Sequence, residues 1–231
     1  VKISVIVPAF NEEKLLGATL ACIRDATSGM DVELIVCDNN STDRTSEIAR
    51  QAGAMVVFEP VNQISRARNV GAAAASGDWL VFVDADSFPD RALFAELAEA
   101  IAGGRCIGGG ATVRFDEADR LAKAAVAAWN AISRRLRWAA GSFVFCQAGA
   151  FRALGGFSTE LYASEEIDFS RRLKRLGRLM ILHRHPLRTS GRKVRLYSKT
   201  EYLKLLAKVV LTGGRSLRSR EECFAWYDGR R

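Results

Sequence analysis

The sequence predicts an α/β domain with a mostly parallel central sheet and helices on both faces. Three observations carry that expectation. Continuous β-branched runs recur through the first half, segments of helical periodicity separate them, and polar residues crowd the ends of the runs.

The first run, ISVIVPAF (3–10), passes through Pro8 and leads into Asn11 and Glu12. Leu16, Leu20 and Ile23 then share one helical face. VELIVCD (32–38) is the second run, ending at Asp38 before Asn39 and Asn40, and Thr45, Ile48 and Ala49 follow at helical spacing. AMVVFE (54–59) is the third run, an alanine-rich stretch from Ser65 to Ser76 the third helix, and WLVFVDAD (79–86) the fourth run. Strands alternating with helices pair in parallel, and in such sheets ligands bind at the carboxyl ends of the strands.

The second half is less regular. It predicts a helix from Pro89 through Ile101, a strand over about 106–115 and a long alanine-rich helix over about 117–140. GSFVFCQAGAFRALGGF (141–157) reads as a strand, a short helix and a glycine turn. Ser164 is placed to cap a helix that buries Phe169, Leu173 and Leu176 and stops at Gly177; LMIL (179–182) is the last core strand. No internal repeat or linker divides the chain, so one domain is expected.

Composition narrows the class. With 231 residues, 48% hydrophobic and 26% charged, and only 4 prolines, the chain is neither disordered nor of low complexity. No apolar run approaches the roughly 18 residues of a membrane span, and no basic-then-apolar signal pattern opens the sequence, so a cytoplasmic location is the expectation. The 5 cysteines (Cys22, Cys37, Cys106, Cys146 and Cys223) lack zinc-site pairing and read as buried thiols. Charge is lopsided: 18 of 34 basic residues lie between Arg171 and Arg231, against four acidic ones there, which suits phosphate groups or a solvated basic face.

Asp84 and Asp86 stand two apart at the end of an apolar run. On an extended segment both side chains face one side, where a hard cation such as Mg²⁺ or Mn²⁺ would resolve their repulsion and leave positions open for a diphosphate. The alternative is a helix cap beside an ordinary strand-end residue.

SVIVPAFNEE, VCDNNSTDRT, SRARNVGAAAASGDWLVFVDADSFPD and GGFSTELYASEEIDFSRRLKRLGR occur in this order. Together they closely resemble the family 2 glycosyltransferases of the nucleotide-sugar-binding, Rossmann-like GT-A fold, over about residues 3–192. The resemblance implies a single GT-A domain over 1–197, with a nucleotide-sugar half (1–103), an acceptor half (104–197) and a basic helical extension (198–231). It implies that Pro8, Phe10 and Glu12 line the nucleotide pocket and that Asp38 accepts a hydrogen bond from the base, uracil suiting it best. Asp38 could equally close an Asx-type turn. Arg68, in the Arg68-Asn69-x-Gly71 pattern, would lie beside the nucleotide and its phosphates, with Arg66 a weaker candidate, and Asp84 and Asp86 would bind metal and diphosphate.

The same resemblance makes Glu166 the base that takes the acceptor proton, where relatives usually carry aspartate. Glu165 and Asp168 would orient the acceptor or neighbouring arginines; a plain complement to the helix N-terminus is the bland alternative. Alternation puts His183 and His185 on one face, where one of them is a candidate third metal ligand and a satisfied structural histidine the alternative; Arg192 and Lys193 suit the diphosphate or a charged acceptor. Gly109, Gly110 and Gly141 are assigned no ligand. Tyr202, Leu203, Leu206, Val209 and Val210 form an apolar stripe flanked by lysines, suited to packing on the domain or to peripheral contact with the inner face of a membrane.

The implied activity is inverting, metal-dependent transfer from a nucleoside-diphosphate sugar, UDP favoured, to an unidentified acceptor hydroxyl. A nucleotidyltransferase that makes such sugars would need a glycine-rich phosphate loop, which VPAFNEEKLLG lacks. A non-catalytic protein binding nucleic acid or membrane through its basic end would leave both acidic clusters unexplained; no nucleic-acid partner is expected.

Overall fold

The computed structural model describes residues 1–115, 120–191, 212, 215–223 and 227. β1 (Ile3–Ala9), β2 (Val32–Asp38), β3 (Met55–Phe58) and β4 (Trp79–Val83) alternate with α1 (Leu16–Ala26), α2 (Thr45–Gln51) and α3 (Ile64–Ala73). β5 (Ser87–Phe88), α4 (Arg91–Ala102), β6 (Gly108–Phe115), α5 (Arg120–Leu136), β7 (Phe143–Gln147), α6 (Ala148–Ala153), α7 (Glu165–Leu173) and β8 (Leu179–Thr189) follow. One eight-stranded sheet, in the order β3-β2-β1-β4-β7-β6-β8-β5, runs through both expected halves.

β1 to β4 pair in parallel, as their alternation with helices requires. β7 then enters antiparallel between β4 and β6, β6 pairs β8 in parallel, and the short β5 closes the edge antiparallel to β8. Both faces of the sheet are buried. Val5 and Val7 of β1 with Val81 and Val83 of β4 point into one core with Leu16, Leu20, Phe94 and Phe143, while Ile6, Leu80 and Phe82 point into another with Phe151, Phe157 and Phe169. Strands apolar on both faces read as continuous runs, which is why the first half was legible.

On the second face Phe82, Phe151, Phe157 and Phe169 form one aromatic cluster, with ring centroids 4.6 to 5.6 Å apart. α3 crosses β1 closely at Gly71, where a Cβ would stand 2.5 Å from the Ile6 side chain. The neighbouring Asn69 both accepts from and donates to the Phe157 backbone, at 2.9 Å each, tying α3 to the GGF turn.

The structure corrects four expectations. β4 stops at Val83, and Asp84 to Asp86 form a turn closed by a bond from Ser87 N–H to the Asp84 carbonyl at 3.1 Å. Leu176 is 51% exposed, because α7 ends at Leu173. Ser164 does occupy the N-cap position, but in the left-handed region (φ 60°) and without a side-chain cap bond. Cys22 is only partly buried, whereas the other four thiols are buried.

β8 also runs past LMIL to Thr189, through an irregularity the sequence did not announce. Ala111 faces Leu182 and Val113 faces Leu187, so β8 spends extra residues across a bulge at His183 to Pro186. The buried Glu96 of α4 takes up the amides this frees: its carboxylate accepts from the N–H groups of His183, Arg184 and His185 at 3.0, 3.3 and 3.1 Å. Among the described residues beyond the sheet, Arg215–Arg218 form a 3-10 turn, and Cys223 and Tyr227 pack with Ala163. The stripe from Tyr202 to Val210 lies outside the described residues.

Candidate active site

The parallel strands end on one edge of the sheet, and a cavity of about 590 Å³ opens there. Pro8, Phe10 and Glu12 line it after β1, Asp84 and Asp86 after β4, and Glu165 and Glu166 at the start of α7. Two acidic groups from distant parts of the sequence thus share one space, as an open α/β sheet favours. Both aspartates reach it from a turn instead of an extended strand, so their common orientation comes from the turn geometry and not from alternation.

Arg68 joins the two groups. Its side chain is 2% exposed, and its guanidinium donates to Glu165 at 2.8 Å, to Asp84 at 3.0 Å and to the Gly141 carbonyl at 2.8 Å. The cation also lies 5.3 Å from the Phe157 ring centre. Burial alone would lower its pKa, but Asp84, Glu165 and Glu166 outweigh that and raise it. Arg68 therefore acts as a buried strut between carboxylates, and it also lines the cavity beside Asp84.

Glu166 is half-buried beside this strut. Burial first, then the charge on Glu165, push its pKa up to about 8, against the lowering influence of Arg68. Gly141 keeps the space between them: a Cβ there would lie 3.4 Å from Arg68 Nη2 and 3.5 Å from the Glu166 carboxyl carbon. A carboxyl with a raised pKa in a cleft suits proton transfer near neutral pH.

Other expected site residues stand apart. Asp38 is buried and serves its own loop, its two oxygens accepting from Ser41 N–H at 2.9 Å and Ser46 Oγ at 2.5 Å; the next residue, Asn39, lines the cavity instead. Asp168 bonds Arg172 at 2.8 Å and is not among the lining residues, so of its two expected roles the arginine-orienting one is observed. His183 and His185 lie on the exposed bulge held by Glu96, away from the cavity lining, which corrects their reading as metal ligands. Among the described residues no group of three or more His, Cys, Asp or Glu side chains could hold a metal ion. Arg192 and Lys193 lie outside the described residues.

Sequence reasoning missed two features. Gln63, buried before α3, donates to the Thr159 and Leu161 carbonyls at 2.8 and 3.0 Å and so fixes the loop leading to α7. A lone glutamine gives no sequence signal for that task. The second is an apolar wall of the cavity, built by Val113 and Phe115 of β6 with Ala122, Ala125, Val126 and Trp129 of α5. The alanine-rich run was visible, but its position in the cavity depends on how β6 and α5 pack.

A family model described as glycosyl transferase family 2 matches residues 4–154, well over half of the chain. The chain belongs to glycosyl transferase family 2. That match covers the strand ends, Arg68 and both aspartates, and stops before Glu165 and Glu166. The dolichol-phosphate mannosyltransferase of Pyrococcus furiosus is 34% identical over 111 residues, 45% of this chain and 31% of that protein. The chain spans about three tenths of the length of such curated relatives.

Among solved structures, Staphylococcus aureus TarS 1-349 in complex with UDP-GlcNAc superposes with a TM-score of 0.67 at 19% identity, over 82% of this chain and 58% of that one. The mannosyltransferase PcManGT from Pyrobaculum calidifontis, in complex with GDP-Man and Mn²⁺, gives a TM-score of 0.70 at 20% identity, over 88% and 59%. These likenesses establish the GT-A fold of this family 2 member.

Proposed function

We propose that this chain transfers a sugar from a nucleoside-diphosphate donor to an acceptor hydroxyl with inversion, with UDP the favoured nucleotide. The observation that carries the reading is one cavity lined by Asp84 and Asp86 on one side and by Glu166 on the other. Asp84 and Asp86 offer only oxygen, the donor set that Mg²⁺ or Mn²⁺ takes while retaining water and phosphate oxygens, so the pair fits such a cation. Bound there, the cation would stabilise the departing nucleoside diphosphate.

The protein's own groups perform the rest. Pro8, Phe10 and Glu12 bound the donor pocket, and Arg68 holds Asp84 and Glu165 in fixed relation. Glu166 takes the proton from the acceptor hydroxyl as its oxygen bonds to the anomeric carbon. The bond from that carbon to the diphosphate breaks, and its electron pair leaves with the nucleotide. Attack opposite the leaving group inverts the anomeric centre. Since the base must be unprotonated, turnover should climb as pH rises towards about 8.

Support for a nucleotide-sugar donor also comes from the similar folds solved with UDP-GlcNAc and with GDP-Man. The test is a thermal-shift comparison of UDP and GDP with Mn²⁺ and with chelator. A nucleotide shift that needs Mn²⁺ is expected, and UDP should give the larger one; an equal shift in chelator contradicts the metal assignment.

A further inference from the structure

α5 has two apolar faces, and the cavity uses only one of them. Ala122, Ala125, Val126 and Trp129 face the cavity. Beside them Leu121, Ala125, Ala128, Ile132 and Leu136 recur every third or fourth position and so form a stripe along the helix. Leu121 is 59% exposed, Ile132 46% and Leu136 39%, and only Ser133 of the whole helix is buried. The two faces meet at Ala125, so the wall of the cavity continues onto the surface without a polar break.

The charges on α5 are all of one sign. Arg120, Lys123, Arg134 and Arg135 lie along the stripe and the helix itself contains no acidic residue, although Asp116, Glu117 and Asp119 precede it in the sequence. A monomeric soluble surface seldom leaves large aliphatic side chains in a row, and when it does the patch marks an interaction site. An apolar stripe with basic residues along it matches a helix lying in the plane of an anionic lipid interface, the stripe in the acyl boundary and the long cationic side chains reaching headgroups.

We propose that α5 seats the protein on an anionic lipid surface, with the acceptor wall of the cavity opening towards that surface. On the transfer reading above, the acceptor is then an amphiphile presented by the lipid phase, its apolar part against α5 and β6 and its hydroxyl at Glu166.

Co-sedimentation with phosphatidylglycerol/phosphatidylcholine vesicles, against pure phosphatidylcholine, tests the seating directly. The whole chain should bind the anionic vesicles and lose binding as salt is raised. Leu121→Gln with Ile132→Gln should weaken binding on the order of tenfold or more, and melting and the UDP/Mn²⁺ thermal shift should stay as in the parent protein. No binding to anionic vesicles, or equal binding by the double variant, overturns the proposal. So does a dimer in light scattering that the double variant dissolves, since the stripe would then belong to a second copy. Vesicle binding needs no donor and no turnover, so its failure leaves the transfer reading intact, and failure of the nucleotide shift leaves the vesicle result standing.

Discussion

The two sides of the cavity, one at the ends of β1, β2 and β4 and the other at β6, α5 and α7, are built differently. At the ends of β1 and β2 polar residues are spent on one another, Asp38 on Ser41 and Ser46, Asn11 on Thr42, Asn39 on Gln63, while Asp84 and Asp86 after β4 face the cavity. Around β6, α5 and α7 the cavity instead meets an apolar wall and Glu166, a carboxyl displaced from its ordinary pKa. Loops whose hydrogen bonds are satisfied internally are preorganised. Arg68 is where the two sides meet, and the sharpest tests act there.

Arg68→Met should have the largest effect on stability. It leaves Glu165, 4% exposed, and Asp84 without their shared cation, and breaking a buried pair typically costs about 3–5 kcal/mol. Urea melts would check this. A cost as small as that of a surface pair would mean the halves are held together by packing alone.

The next effect is a pH dependence of stability. The folded pKa of Glu166, about 8, lies above its ordinary value of 4.5, so the folded state holds a proton the unfolded state has released. Stability from this group must therefore fall as pH rises from about 4.5 to about 8, and the loss is complete above that. Glu166→Gln removes the penalty. Its melting temperature should exceed that of the parent at about pH 9 and approach it at about pH 5; equal differences at both would place Glu166 in ordinary solvent.

The smallest expected effect is at Ser164, which enters α7 at φ 60°. A left-handed backbone costs a non-glycine residue roughly 1–2 kcal/mol, part of which glycine would give back in unfolded-state entropy. Ser164→Gly should thus stabilise by about 0.5–1 kcal/mol. If turnover falls at the same time, the strained turn serves to aim Glu165 and Glu166 and is not incidental.

How much of this was legible in the sequence also divides along the same line. β1 and β2 fall where their β-branched runs place them, since strands buried on both faces need no partner information to be recognised, and β3 falls on its run too, as an edge strand with Met55 and Phe58 exposed. β5, the bulge in β8 and the reach of α5 into the cavity depend on contacts between distant segments, such as Glu96 with His183 to His185, and leave no local signal. Alternation was the ground for expecting both histidines on one side of their strand, but they fall in a bulge, where the pleat is interrupted. Asp38 was in doubt because a strand-end aspartate before Ser and Thr satisfies the chemistry of a turn and of a ligand equally. Arg68 was found by resemblance, yet its burial was invisible, because only the fold brings Asp84, Gly141 and Glu165 around it.

The central claim is that Glu166 moves the acceptor proton while the other side of the cavity holds the donor. Its most direct test is sugar transfer by Glu166→Gln, with donor affinity determined separately on the same protein. Glutamine keeps the size of the side chain and cannot act as a base, so turnover should fall by roughly 10² to 10⁴ while UDP-sugar affinity in Mn²⁺ stays near that of the parent. Near-normal transfer by this variant would contradict the account and move the base to Glu165 or elsewhere in the cavity.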